Sequence, residues 1–201
     1  RPPAARTAPE ALAVRFPQPA AGPVVLHHDG PATQALGYIA WPTVDSIDSR
    51  REARTISVLA RVLQLRVTDE LREKQGVAYS PSVGTSSSTV FPGYGYIFTQ
   101  VETPPEALPD FFDTVDRITK DLRDTPVSPD ELQRARLPSV EGTRRAQATN
   151  AYWMTQLDGV ATKPVRLGAA RTAITDLEAV TPEDIQRVAS AYLKPDRAWR
   201  A

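Results

Sequence analysis

The chain has 201 residues, and its 24 lysine and arginine residues equal its 24 aspartate and glutamate residues in number. This balance leaves no net charge to attract nucleic acid or an anionic membrane surface, and no apolar run is long enough to cross a bilayer. We therefore expect no nucleic-acid partner and no membrane insertion. The absence of cysteine excludes disulfides, thiolate catalysis and cysteine-bound metal.

The opening stretch, RPPAARTAPEALAVRFPQP, is rich in proline and is typical of a linker. We interpret residues 1–22 as a linker or domain entry and residues 23–201 as a single α/β domain. Because the chain opens with Arg1 rather than methionine, we expect it to be part of something longer.

Two strands and a long helix come first. The apolar run VVL at residues 24–26 and the stretch TQALGYIAW at residues 33–41 predict two strands that pair with each other. Ser49 and Glu52 have the spacing of a capping box. It precedes a long helix whose apolar residues recur at helical spacing until Gly76 ends it.

Two more strands follow that helix. One begins at Val77 with VAYSPSVGTSSS, and the other begins at Gly93 with GYGYIFTQVE. The second has the alternation of residue types that strands show. On one side it places Tyr94, Tyr96 and Phe98, and on the other Ile97, Thr99 and Val101.

Helical patterns fill most of the remaining chain. Apolar residues repeat at helical spacing from 108 to 122 and predict a second helix. Ser128 begins a third helix, which Pro138 should kink or end. The segment NAYWMTQL predicts a short helix after it. Thr181 caps a last helix that stops before Pro195, and DRAWRA predicts a final strand. The order indicates an α+β fold, with a largely antiparallel sheet and helices packed on one face.

Residues that could carry out chemistry without a partner are scarce. His27 and His28 are adjacent on a predicted strand, so they point to opposite faces and cannot share a metal. No HExxH or HxxEH motif is present, and the serines at 86–88 lack a GxSxG context. We expect no metal site and no nucleophile in this chain.

The end of the long helix holds the one candidate pair. Arg72 lies in the last predicted turn, and Tyr79 follows seven residues later on the next strand, so both side chains can project near one sheet edge. A structural role accounts for them as well, since a terminal cation complements the helix dipole and a strand tyrosine usually packs. The residues alone leave both readings open.

The string LREKQGVAYSPSVG resembles the C-terminal half of pitrilysin/insulinase-type zinc metallopeptidases, whose members carry LRE-x-x-G-x-x-YS at the same place. The likeness continues through SPDEL and VTPEDIQRVASAYLKPDR. It implies a metallopeptidase/processing-peptidase-like domain, the last one of a clamshell that encloses a peptide substrate. Zinc is then expected in a separate N-terminal domain, or in a partner subunit, on an HxxEH helix.

The resemblance also implies roles for the candidate pair. Arg72 would orient the peptide substrate, and Tyr79 would stabilise the oxyanion that forms during hydrolysis, which makes both residues substrate-binding and catalytic. The domain alone should be inert, and the whole protein should be periplasmic or secreted. Two alternatives remain: an inactive scaffold or assembly domain of the same fold, and a module that binds peptide without cleaving it.

Overall fold

The computed structural model describes residues 14–71, 81–161 and 164–201. Its strands are β1 (Ala35–Pro42), β2 (Ser82–Ser87), β3 (Gly95–Thr103) and β4 (Trp199–Arg200). Its α-helices are α1 (Arg50–Asp69), α2 (Leu108–Asp124), α3 (Pro129–Gln147), α4 (Asn150–Leu157), α5 (Val165–Arg171), α6 (Ala173–Glu178) and α7 (Pro182–Tyr192).

The four strands form one antiparallel sheet in the order β2-β3-β1-β4. β1 pairs with β3 along its whole length, with Ile39 opposite Thr99, and β2 pairs with β3 on the other side. Helices pack against one face of this sheet. The predicted α+β class, with an antiparallel sheet and helices on one face, is confirmed.

The predicted strand at residues 24–26 is wrong. Val24 N–H donates to the Arg200 carbonyl oxygen at 2.8 Å, but the side chains of Val25 and Leu26 are exposed and the run does not pair with β1. β4 occupies that edge of β1 instead, with Trp199 opposite Ala40. The final strand predicted from DRAWRA is therefore confirmed, and it displaces the N-terminal run from the sheet.

Helix α1 forms the centre of the core. Apolar residues three and four positions apart give it one continuous buried stripe, which packs on β2 and β3 and against α2, α3 and α7. Its fully buried side chains include Ile56, Val58, Leu59, Val62, Leu63 and Val67. No helix in the described parts of the chain is both long and apolar enough to cross a membrane.

Helix ends and breaks differ in part from prediction. The Ser49 side chain makes no capping hydrogen bond, so the predicted capping box of α1 is wrong. Ser128 does cap α3, which continues through Pro138 to Gln147 rather than ending there. The short helices α5 and α6 were not predicted, because sequences of seven and six residues are too short to show apolar periodicity.

Candidate functional site

The predicted pair, Arg72 and Tyr79, lies outside the described residues, so its geometry stays a prediction. The structure does describe the residues on either side of this pair. Leu71, just after α1, is buried in the core. Gln64 of α1 then holds the start of β2, because its amide donates to the Pro81 carbonyl at 2.9 Å and accepts the Val83 N–H at 2.7 Å.

The face of the sheet turned away from the helices carries a cluster of aromatic side chains. We call Tyr38, Tyr96, Phe98 and Trp199 the aromatic face. They come from the three strands β1, β3 and β4, and each is partly exposed. The alternation predicted for β3 is confirmed, since Ile97, Thr99 and Val101 point into the core. The sheet therefore has a buried face and an aromatic one.

The rings of the aromatic face contact one another. Tyr38 stacks on Phe98 with centroids 5.5 Å apart and an interplanar angle of 10°. Trp199 meets Tyr38 edge-on at 6.1 Å, and Tyr96 lies 6.1 Å from Phe98. Offset-stacked and edge-to-face pairs are favourable arrangements for such rings. The result is a preformed apolar surface that has polar phenol groups on it.

The phenol of Tyr38 stays protonated over a wide pH range. Burial raises its pKa to about 12, and the neighbouring phenols of Tyr96 and Tyr94 contribute in the same direction. At neutral pH the group can therefore donate a hydrogen bond as well as accept one.

An N-terminal segment borders one end of the aromatic face. The ring of Phe16 lies 6.1 Å from that of Tyr96. Residues 14–19 line a cavity of about 370 Å³ together with Pro42, Thr43, Gly93–Gly95, Asp196 and Arg197. Part of the stretch interpreted as a linker thus packs on the domain, although what precedes residue 14 is not described.

Metal-binding groups do not gather in the part of the chain that the structure describes: no three histidine, aspartate or glutamate residues there could hold one ion. The imidazole of His28 lies 3.0 Å from the Gln34 carbonyl oxygen and accepts the Gly30 N–H at 2.9 Å. His27 and His28 both lie outside the sheet. The prediction that they point to opposite faces of a strand is therefore wrong, and it cannot be used to exclude a shared metal.

The aromatic face is the feature that sequence reasoning did not single out as functional. The signal was present in the alternation of Tyr94, Tyr96 and Phe98. Its interpretation needed the strand order, because only the pairing with β1 and β4 brings Tyr38 and Trp199 onto the same surface.

Comparison with known proteins places the chain in a family. Residues 2–137 match the family model described as the peptidase M16 inactive domain. That family is defined by an inactive domain, so a catalytic zinc site is not expected in this chain. No curated protein matches it significantly.

Solved structures show the same fold. The peptidase M16 inactive domain from Pseudomonas fluorescens superposes with a TM-score of 0.71 at 19% identity, over 85% of this chain and 41% of that one. The inactive peptidase domain of a candidate zinc protease from Bordetella parapertussis gives 0.67 at 16% identity, over 89% and 95%. The periplasmic protease PqqL from Escherichia coli gives 0.66 at 14% identity, over 84% and 19%.

These structures differ in how much of their length the chain accounts for. It spans less than half of the Pseudomonas fluorescens chain and about a fifth of PqqL, but nearly all of the Bordetella parapertussis domain. At these identities the likeness establishes the fold and no more.

Proposed function

The chain belongs to the peptidase M16 inactive-domain family, and on that premise we propose that it is the C-terminal, non-zinc-binding domain of a zinc metalloendopeptidase that encloses peptide substrates. The N-terminal half of the same protein, or a partner subunit with an HxxEH motif, would hold the zinc, which supplies an activated water when bound. The observation that carries this proposal is the aromatic face, a cluster of partly exposed rings on the side of the sheet opposite the helices that the structure describes.

The aromatic face suits a peptide of varied sequence. Its flat rings offer apolar contact area to any side chain, and the Tyr38 phenol can bond to a peptide carbonyl or N–H group. Contacts of this kind depend little on the identity of individual residues. We therefore propose that this face forms one wall of a substrate chamber.

Arg72 and Tyr79 would act at the rim of that wall. The stretch that holds them joins the end of α1 to the start of β2, where Ser82 lies opposite Gln100, which in turn lies opposite Tyr38. From this side of the domain, a guanidinium could bind a substrate carbonyl oxygen and a phenol could donate to the oxyanion formed on attack by water. The proposed roles are orientation for Arg72 and charge stabilisation for Tyr79.

We also propose a periplasmic or secreted location. Its support is the fold shared with a periplasmic protease. Fractionation of cells that express the complete protein tests this, and recovery of the protein with cytosolic markers would contradict it.

The test of function uses the complete protein. A peptide library is incubated with it, with and without a zinc chelator, and the products are identified by mass spectrometry. We expect cleavage products that disappear on chelation and return when zinc is added. If no peptide is cleaved but labelled peptides still bind, the chain belongs to a peptide-binding module; if neither occurs, the assembly role is favoured.

Substitutions then test the two named residues. Tyr79→Phe should lower kcat by about a hundredfold, the usual effect of losing one oxyanion donor. Arg72→Met should raise KM and lower kcat, because it removes both orientation and charge. The matched controls are Tyr152→Phe on α4 and Arg61→Met on the exposed side of α1, which should leave both constants unchanged. Equal activity of Tyr79→Phe and Tyr152→Phe would refute the role of Tyr79.

A further inference from the structure

A cavity of about 380 Å³ lies beside the β2 edge of the sheet, on the side that faces the helices. None of the four residues of the aromatic face lines it. Its volume falls in the range of small-molecule sites. The side chains that matter for its chemistry are Arg50, Arg54 and Ser57 of α1, Thr85 and Ser87 of β2, and Arg166 of α5.

Arg50 is held in place without being neutralised. Its Nε donates to the Ser46 carbonyl at 3.2 Å, its Nη2 to the Ile47 carbonyl at 3.1 Å, and its Nη1 to the Val165 carbonyl at 2.9 Å. Within the described residues it forms no ion pair with a carboxylate. Backbone carbonyls fix the guanidinium but leave its full positive charge in the cavity wall.

The other two arginines add charge that is only partly balanced. Arg54 pairs with Asp176 and also donates to the Thr172 hydroxyl at 3.1 Å. Arg166 has neither an ion pair nor a side-chain hydrogen bond to any residue that the structure describes. Three guanidinium groups thus line the cavity, and among the described residues one carboxylate, that of Asp176, forms an ion pair with any of them.

The positive charges act on one another. Burial of the Arg50 guanidinium lowers its pKa below the ordinary value, and the like charges of Arg54 and Arg166 lower it further. Asp48 and Asp176 oppose this shift without cancelling it. An anion in the cavity would therefore relieve a repulsion that the folded chain otherwise carries.

The sheet edge beside the cavity limits the shape of the ligand. Residues of an antiparallel strand alternate between facing their partner strand and facing away. Because the Val83 N–H faces away from β3 and bonds to Gln64, the backbone of Thr85 also faces away, towards the cavity. At the other end of the edge, the Ser46 hydroxyl bonds to the Ser87 carbonyl at 3.3 Å.

Thr85 is thus the residue of this edge with neither its N–H nor its carbonyl bonded to a described residue, whereas Gln64 bonds the Val83 N–H and Ser46 bonds the Ser87 carbonyl. An extended peptide that paired along the whole edge would displace both side chains, whereas a compact ligand that uses the Thr85 N–H displaces neither. The hydroxyl of Thr85 is available too, since it has no partner in the described ranges.

We propose that this cavity binds a compact phosphoryl-type oxyanion. Guanidinium groups match the oxygen geometry of such anions with paired hydrogen bonds, and three of them suit a ligand of more than one negative charge. Arg50 and Arg54 form the fixed part of the site, and Arg166 is free to close on the ligand. The N–H and hydroxyl of Thr85 bind a further oxygen.

The experiment is titration calorimetry on the complete protein at low ionic strength. Inorganic pyrophosphate and glycerol 3-phosphate serve as probes, and a hexaglutamate peptide is the comparison. Arg166→Gln tests the site, because this side chain has no described contact to lose and folding should be unaffected. Arg171→Gln is the matched control: it changes an exposed arginine of the same helix that does not line the cavity.

We expect binding of at least one phosphoryl probe, weakened about tenfold by Arg166→Gln and unchanged by Arg171→Gln. Added salt should weaken binding further. Tighter binding of pyrophosphate assigns the site to an inorganic diphosphate, and tighter binding of glycerol 3-phosphate assigns it to a phosphate monoester. The proposal is overturned if neither probe binds, if only hexaglutamate binds, or if both variants bind alike. None of these readouts depends on peptidase activity.

Discussion

The ring of Phe98 lies directly over Gly84 on the neighbouring strand. The two residues are paired across β2 and β3, and a Cβ atom added to Gly84 would come within 2.8 Å of two atoms of the ring. Such a separation is well below van der Waals contact. Gly84 therefore provides the space in which the ring lies against the sheet and stacks on Tyr38.

Gly84→Ala should push the Phe98 ring away from the sheet and weaken its stacking on Tyr38. We expect a loss of about 1 kcal/mol in the free energy of unfolding, close to the value of an aromatic pair, measured by urea denaturation. The near-ultraviolet circular dichroism of the aromatic face should fall as well. Under the proposed function, peptide turnover should decrease because the chamber wall is altered.

Gly142→Ala is the matched control for this change. Gly142 lies inside α3, and apart from its chain neighbours and the local helix backbone a Cβ there would meet no described atom within 4 Å. It should stabilise the protein by about 0.5 to 1 kcal/mol, because alanine favours the helix over glycine. An unaltered near-ultraviolet signal in Gly84→Ala would contradict the account of Phe98.

The features predictable from sequence were those set by local periodicity. The stripe of α1 and the alternation of β3 repeat over many residues, so a few ambiguous positions cannot hide them. Residues 24–26 have the same apolar character, but their place depends on competition with β4, whose sequence lies far along the chain. Such competition is a tertiary effect that no local pattern contains.

The candidate sites also differ in whether a local sequence pattern could predict them. Arg72 and Tyr79 could be named because a contiguous motif carries them. The aromatic face and the arginine cavity could not, because their members come from strands and helices that only the fold brings together. Arg50 and Arg166, for example, line one cavity because α1 approaches α5, a helix that lies more than half of the chain away in sequence.

The carboxylate of Asp45 should make the free energy of unfolding of the domain depend on pH. Burial of its carboxylate opposes ionisation, but N–H groups of Gly93, Asp48 and Ile47 outweigh that and lower its pKa below the usual value. A lowered pKa in the folded state contributes stability above the unfolded pKa, near 4, and that stability is lost as the pH falls through the folded value. The effect should appear in unfolding measured between about pH 7 and pH 2.5.

Asp45→Asn removes this dependence. It should cost about 2 kcal/mol at pH 7, the value of hydrogen bonds to a charged group, and the difference from the parent should shrink as the pH falls below about 4. Asp158→Asn changes an exposed carboxylate and should leave the profile as it is. A constant difference between the parent and Asp45→Asn at every pH would show that the charge of Asp45 does not contribute to the stability of the domain.

Thr99 is a buried residue that should be replaceable by an apolar one. Its side chain is fully buried in the middle of β3, and its hydroxyl has no hydrogen-bond partner among the described residues. A buried, unpaired hydroxyl costs free energy, so Thr99→Val should stabilise the protein by about 1 kcal/mol. Thr55→Val is the comparison, because the Thr55 hydroxyl donates to the Arg51 carbonyl at 3.1 Å. It should be neutral or destabilising, and equal gains from both changes would refute the argument.

Two helices begin with sequences that look alike but differ in structure, and mutation should separate them. At α7, the Thr181 hydroxyl accepts the Asp184 N–H at 3.2 Å, and the Asp184 carboxylate accepts the Thr181 N–H at 3.2 Å. At α1, Ser49 makes no such bond, because its backbone has a ψ of 37° rather than the extended conformation of Thr181, whose ψ is 165°. The Glu52 carboxylate does not return to the helix start either, since it pairs with both Nη atoms of Arg187 at 2.9 Å.

Thr181→Ala should therefore destabilise the protein by about 1 kcal/mol, and Ser49→Ala should change it by less than about 0.5 kcal/mol. Chemical denaturation of the two variants side by side is sufficient, because both changes remove a hydroxyl at a helix start. Glu52→Gln should cost more than Ser49→Ala, since it breaks the contact between α1 and α7 rather than a cap. If Ser49→Ala proves as costly as Thr181→Ala, Ser49 does cap α1 in solution and the difference between the two helix starts is refuted.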